Sequence, residues 1–298
     1  MKEIVIISGK GGTGKTTLTA SLAALWKDIV IADCDVDAAD LHLLLQPEDK
    51  KTNDFYAGVR AVIDPELCTQ CGTCRDVCVF DAVSDDFVVQ DVSCEGCGVC
   101  YHFCPESAIR LEDRLCGEWY ESETRIGPML HARLGIAEEN SGKLVTLLRK
   151  EAKRVAEQRG FETILIDGSP GIGCPVISSL GGATLVAVVT EPTVSGIHDM
   201  DRILALARHF QIPAAVVVNK ADLNPENADI IENKAKEENV CFLGRIPYDN
   251  AVTEAMVRGK TIVECDRSGA SVAVESIHRN LLAKVESLDR AAGSRPDA

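Results

Sequence analysis

Residues 9–17 read GKGGTGKTT, a loop whose residue types suit a phosphate chain. Gly9, Gly11, Gly12 and Gly14, with Thr13 among them, let backbone N–H groups face phosphate oxygens. Lys15 brings charge to the β and γ phosphates, and the Thr16 hydroxyl suits Mg²⁺, with Thr17 next in the turn. The same stretch also fits a dinucleotide fingerprint, with Asp33 as its ribose acid. A dinucleotide site has no need of Lys-Thr at the helix start. Moreover, ILIDGSPG at 164–171 puts a second acid, Asp167, at a strand end where an Mg²⁺-associated carboxylate belongs. The triphosphate reading is the stronger. Lys10 is extra to it: a solvent-facing loop cation, or a residue with a task of its own.

The second chemistry is thiol chemistry. The chain has 13 cysteines, and eight of them follow C-x₂-C-x₂-C-x₃-C twice: Cys68, Cys71, Cys74, Cys78 and Cys94, Cys97, Cys100, Cys104. This spacing matches bacterial two-cluster ferredoxins, in which three close thiolates and a fourth from the other repeat hold each 4Fe–4S cube. Cys68, Cys71, Cys74 and Cys104 would hold one cube; Cys94, Cys97, Cys100 and Cys78 the other. The rival is a pair of Cys₄ zinc sites, which usually join two CxxC knuckles across a longer spacer. Pro105 follows the second run, but Val79 stands after Cys78, a departure from the pattern. Of the other cysteines, Cys241 reads as core. Cys174, in GIGCPV, reads as a small buried residue or, less readily, a redox one.

These residues need elements to place them. KEIVIIS and DIVIAD read as buried parallel strands flanking the loop and a helix. From Phe55 to Asp113 the rhythm breaks, and DPELCTQCGTCRDVCVFDAV repeats as DVSCEGCGVCYHFCPESAIRL at an offset of 26 residues. A duplication of this kind suggests a two-fold minidomain. The α/β rhythm then returns: EWYESETRI as a strand, an amphipathic helix capped by Ser141, TILIDGSPG and ATLVAVVT as strands, then further helix–strand alternation. The expectation is a three-layer α/β phosphate-loop fold with a mostly parallel sheet, residues 1–54 and 114–298. It is interrupted by a small α+β ferredoxin-like module, residues 55–113.

Bulk numbers narrow the function classes. At 46% apolar the chain can build a large core, yet no apolar run nears the ~20 residues of a membrane span. A formal net charge of −15 argues against nucleic acid as a partner. RKEAKR at 149–154 reads as a solvated helix face. The opening MKEIVII lacks a signal-peptide layout. The crowded cysteines point to metal or redox chemistry in a cytoplasmic protein.

Lys10 within KGGTGKT resembles the deviant phosphate-loop ATPases of the MinD/ParA class. ADCDVDAADL, LIDGSPG, VVNKAD and IPYDNAV recur in that class's order. The resemblance implies ATP with Mg²⁺ and a homodimer, or a dimer with a paralogue, in which Lys10 reaches the partner's nucleotide. It further implies that Asp35 orients the attacking water and contributes with Thr16 to the Mg²⁺ site. Asp167 lies near Mg²⁺, and Asn219, Lys220, Pro247, Tyr248 and Asp249 border the purine. NKAD at 219–222 also matches the guanine-reading N-K-x-D, so GTP stays open. GIAEENSGKLV at 135–145 resembles members of this class that carry an inserted ferredoxin domain. The C-terminal CxxC of related cluster-scaffold ATPases is missing after Cys174, which disfavours that assembly route.

Three functions follow. The first is a dimeric ATPase that couples nucleotide state to electron transfer toward an unknown redox partner, at class level like nitrogenase's iron protein. The second is a carrier handing clusters or metallocofactors to a receiving protein. The third is a MinD-like positioning ATPase with the ferredoxin module for docking, weakened by a C-terminus poorly suited to lie on a membrane.

Overall fold

A computed structural model describes residues 1–135, 141–265 and 267–293, and they fall into two compact units. The first comprises the described residues within 1–53, 119–133 and 141–298, and the second those within 54–118 and 134–140. The stretch 136–140 within GIAEENSGKLV lies outside the described residues, and so does any N-cap before Ser141, which is itself the first helical residue.

In chain order the elements are β1 Lys2–Ser8, α1 Lys15–Leu25, β2 Ile29–Cys34, α2 Leu41–Leu45, β3 Glu48–Ile63, α3 Thr73–Asp76, α4 Val99–Phe103, β4 Ile109–Glu123, β5 Pro128–Leu134, α5 Ser141–Arg159, β6 Thr163–Gly168, α6 Cys174–Leu180, β7 Leu185–Thr190, α7 Val194–His209, β8 Ala214–Asn219, α8 Pro225–Glu237, β9 Cys241–Ile246, α9 Asn250–Val257 and α10 Gly269–Gly293. In the first unit the strands run β5-β2-β6-β1-β7-β8-β9, with the end of β4 beside β5. From β5 through β9 in that order, neighbouring strands pair in parallel. β2, β6 and β7 are buried at every residue, as continuous apolar runs covered on both faces must be. One face packs on Leu18, Leu22, Leu41, Leu45, Ile262, Val274 and Leu281 from the helical layer.

Parallel strands align their carboxyl ends, where ligands of open α/β sheets bind. Here β1, β2 and β6 end at Ser8, Cys34 and Gly168, so the phosphate loop, the Asp35 segment and Asp167 share one edge.

In the second unit β3 and β4 pair, and the two cysteine runs bracket α3 and α4. The duplication read from spacing recurs in the backbone. Left-handed residues occur as pairs, Gln70 with Gly96, Gly72 with Gly98, and Asp81 with Ser107. The Ala82 N–H donates to Cys78 Sγ at 3.4 Å, and the Ala108 N–H donates to Cys104 Sγ at 3.3 Å. Gly96 cannot be replaced cheaply, since a Cβ there would meet the Val59 carbonyl oxygen at 2.0 Å. This unit's core is small: Ala61, Cys74, Ala82, Val83, Cys94 and Ile109.

Candidate functional site

The phosphate loop closes over the N-terminus of α1. Gly14 takes a left-handed backbone (φ 87°), and a Cβ on it would lie 2.3 Å from Asn219 Nδ2. Glycine is therefore required there twice over, by conformation and by space. The Asn219 amide donates to the Thr13 carbonyl at 2.7 Å, and Lys220 Nζ reaches the Gly12 carbonyl at 3.2 Å. Both residues line the cavity, but their side chains brace the loop.

Lys15 is buried and lies between two carboxylates, Asp167 at 2.9 Å and Asp35 at 3.1 Å. Burial works against its charge, but Asp167 and Asp35 outweigh that and raise its pKa. Thr16 Oγ1 donates to Asp167 at 2.7 Å, and Thr19 Oγ1 donates to it at 3.0 Å. The residues that would hold Mg²⁺, namely Thr16, Asp35 and Asp167, thus stand together around the lysine. They fit a hard cation, which takes oxygen ligands from carboxylates and hydroxyls.

Asp33 is not a ribose acid. It is fully buried, and its carboxylate accepts the N–H groups of Asp35 and Leu41, both at 3.2 Å. Burial first, then the Asp167 charge, raises its pKa well above the carboxylate range. Its role is to fix the turn that aims Asp35. Burial also raises the pKa of Asp35, with Lys15 opposing.

The cavity is about 640 Å³, the size of a small-molecule site. Gly11 to Thr17 line its floor, Asp35, Asp40, Leu43 and Leu44 one side, and Pro247, Tyr248, Val252 and Met256 the other. The Asp249 carboxylate caps α9 through the Ala251 N–H at 3.0 Å and also takes the Ala270 N–H. Those bonds fix its carboxylate at the start of α9, while Pro247, Tyr248 and Asp249 all line the cavity. Asp222 is not among the lining residues: it accepts the Tyr248 N–H at 2.6 Å. A guanine-reading aspartate would need its carboxylate free for the base.

Lys10 does not stand clear of its own subunit. Its Nζ lies 3.5 Å from Glu191 Oε2 and donates to Ser195 Oγ at 3.3 Å. Glu191 and Thr19 are site residues the sequence reading missed. Thr19 had a signal, being one turn beyond Thr16. Glu191 had one only in retrospect, at the carboxyl end of β7.

In the second unit, Cys68, Cys71, Cys74 and Cys104 line one cavity with Ile63, Phe87 and Ile109. Cys100 is influenced by Cys94, Cys97 and Cys78, after burial, which raises its pKa. Burial likewise raises that of Cys74, with Cys68 and Cys71 adding. The Thr73 hydroxyl lowers that of exposed Cys71. Of the two predicted sets, Cys68, Cys71, Cys74 and Cys104 thus share one cavity lining. Among the described residues no group of three or more His, Cys, Asp or Glu converges closely enough for a single metal ion. Zinc would need four thiolates about 2.3 Å from one point; a cube spreads its thiolates over four corners. Cys174 corrects the buried reading, since it is exposed at the first residue of α6. Cys241 is half-buried against the main core.

The profile of the CobQ/CobB/MinD/ParA nucleotide-binding domain matches residues 4–262. An uncharacterised protein of Methanocaldococcus jannaschii is 37% identical over 229 residues, covering 76% of this chain and 80% of that one. The septum site-determining protein MinD of Bacillus subtilis is 25% identical over 292 residues, covering 94% and 89%. The structure of Pyrococcus horikoshii MinD complexed with Mg-ADP superposes with a TM-score of 0.57 at 18% identity, covering 96% and 98%, a likeness of fold.

Proposed function

The chain belongs to the CobQ/CobB/MinD/ParA nucleotide-binding domain family, and from that premise we propose that it is a Mg²⁺-dependent ATPase working as a MinD-like dimeric switch. One observation carries the reading: Lys15, Thr16 and Asp35 line a nucleotide-sized cavity, with Asp167 buried directly behind Lys15 and Thr16. Lys15 would exchange its carboxylate partners for the β and γ phosphates. Thr16, Asp35 and Asp167 would then be released toward Mg²⁺, which supplies charge neutralisation at the transferring phosphoryl group. Asp35 would align water for attack, and Lys10 of a second copy would complete the site.

The cysteine unit is proposed to bind two 4Fe–4S clusters, one on Cys68, Cys71, Cys74 and Cys104, the other on Cys94, Cys97, Cys100 and Cys78. The shared cavity and the paired N–H···S bonds support this. Electron transfer as the output finds no support among the relatives. Their names favour the positioning reading, with the cysteine unit as the element whose docking the nucleotide controls. Neither unit is assigned a nucleic-acid or membrane partner, and among the described residues no helix is long and apolar enough to cross a membrane.

The test is turnover of Mg-ATP against Mg-GTP by protein prepared without oxygen, in wild type and Asp222→Ala. ATP preference in both is expected. GTP preference lost on Asp222→Ala would overturn the adenine reading.

A further inference from the structure

The two cysteine runs match at an offset of 26 residues, so a side chain that differs across that offset can make the two thiol sets unlike. Much of the surroundings does not differ. Each set has one buried thiol, Cys74 or Cys94, one exposed thiol, Cys71 or Cys97, and two half-buried ones. Each also keeps one backbone donor, the Ala108 N–H on Cys104 Sγ at 3.3 Å or the Ala82 N–H on Cys78 Sγ at 3.4 Å. Burial and these main-chain bonds treat the sets alike.

The difference lies at the first residue of each short helix. Thr73 opens α3 after left-handed Gly72 (φ 87°), and Val99 opens α4 after left-handed Gly98 (φ 76°). The backbone setting is shared and the two side chains have the same shape, but only Thr73 carries a hydroxyl. Its Oγ1 lies 3.4 Å from Cys71 Sγ. A thiolate bound to iron has no proton to give, so in that state the hydroxyl is the donor. Val99 offers Cys97 only carbon.

We infer that Thr73 is a positioning residue for the Cys71 ligand, whose hydroxyl eases one-electron reduction of the cube on Cys68, Cys71, Cys74 and Cys104 and leaves the other cube without that help. This rests on the cluster reading above. Reduction adds one electron, taken from an external reductant, and so one negative charge to a cube and its thiolates. A donor aimed at a ligand sulfur stabilises the more negative state more strongly, which raises the potential. Arg114 donates to the Cys94 carbonyl at 2.9 Å and favours negative charge at the other set. Thr73 therefore shifts one cube, and Val99 marks where the same shift is missing from its twin.

The test is Thr73→Val in the full chain prepared without oxygen, a variant that gives the first repeat what the second already has. Electron paramagnetic resonance followed against applied potential, with dithionite as the final reductant, resolves one step for each cube. One step should fall, its reduction constant dropping about three- to tenfold, the range one exposed hydrogen bond supports. For one electron, at about 59 mV per tenfold, that is about 30–60 mV. The other step should stay. Thr73→Ser keeps the hydroxyl and should keep the wild-type steps, and Val99→Thr should raise the second step and leave the first. Iron content reports separately on the reading beneath. About eight irons per chain with both steps unmoved in Thr73→Val and in Val99→Thr overturns the inference alone. Equal movement of both steps in Thr73→Val would mean a general disturbance of the unit, which also overturns it. Wild type that holds zinc and no iron overturns the cluster reading and this inference together.

Discussion

The phosphate site and the cysteine unit are built on opposite terms. Around Lys15, the Thr16 hydroxyl and the Asp35 and Asp167 carboxylates already have protein partners, and the strands that present them are sealed in a large core. In the cysteine unit the packed core cluster is small and includes Cys74 and Cys94, and none of the eight motif thiols is in a disulfide. Small units with little core need a cross-link or a metal to hold them. The first region is therefore pre-organised and awaits its ligand. The second would be completed by the proposed clusters, because metal binding and folding are one free energy in such units.

The largest effect expected from this contrast is that of Lys15→Ala. Turnover should be lost, since the β and γ phosphates lose their main charge partner. The unliganded protein should also lose about 3–5 kcal/mol of stability, because Asp35 and Asp167 become buried charges without a counter-ion. Turnover assays and denaturant unfolding check this pair, and a variant that is inactive yet fully stable would show that the site is not prepaid by Lys15.

Next in size is Cys68→Ala. About four of about eight irons should disappear from protein prepared without oxygen. Limited proteolysis should then cut within residues 54–118 and spare the first unit. Zinc in place of iron would end the cluster reading.

The smallest effect concerns how α2 is pinned beside the cavity. Arg125 chelates Glu264 with two bonds of 2.7 Å and donates to the Leu45 carbonyl at 3.1 Å. This guanidinium, with help from Thr261, lowers the Glu264 pKa to about 2. A depressed carboxyl stabilises the fold above its unfolded pKa near 4.5, and that stability fades as pH falls toward 2. With discount for partial exposure, Arg125→Ala should cost about 1–2 kcal/mol at pH 7. It should also flatten the further loss on acidification, as followed by thermal unfolding between about pH 7 and 3.

What could be read from the chain depended on how local each signal was. The phosphate loop carries its chemistry in consecutive residues, and the cysteine runs carry theirs in a repeat that recurs in backbone dihedrals at Gly72 and Gly98. β3 was hidden because it starts in charged EDKKTND and reaches apolar residues only at Phe55. β5, PMLHARL, opens on proline and encloses a buried histidine, His131, bonded to Ser122. α2 is too short, at five residues, to show a period. Asp33 suited a ribose acid by spacing alone, because the Leu41 N–H that folds back onto its carboxylate lies eight residues on. Glu191 needed the β1–β7 register, which no linear motif encodes.

The central claim is a switch in which one copy's Lys10 completes the other's nucleotide site. Light scattering of wild type and Lys10→Ala with Mg²⁺ and a non-hydrolysable ATP analogue tests it most directly. Wild type should double in mass while Lys10→Ala binds the analogue and stays monomeric. A Lys10→Ala protein that dimerises as readily as wild type and keeps its turnover would contradict the account.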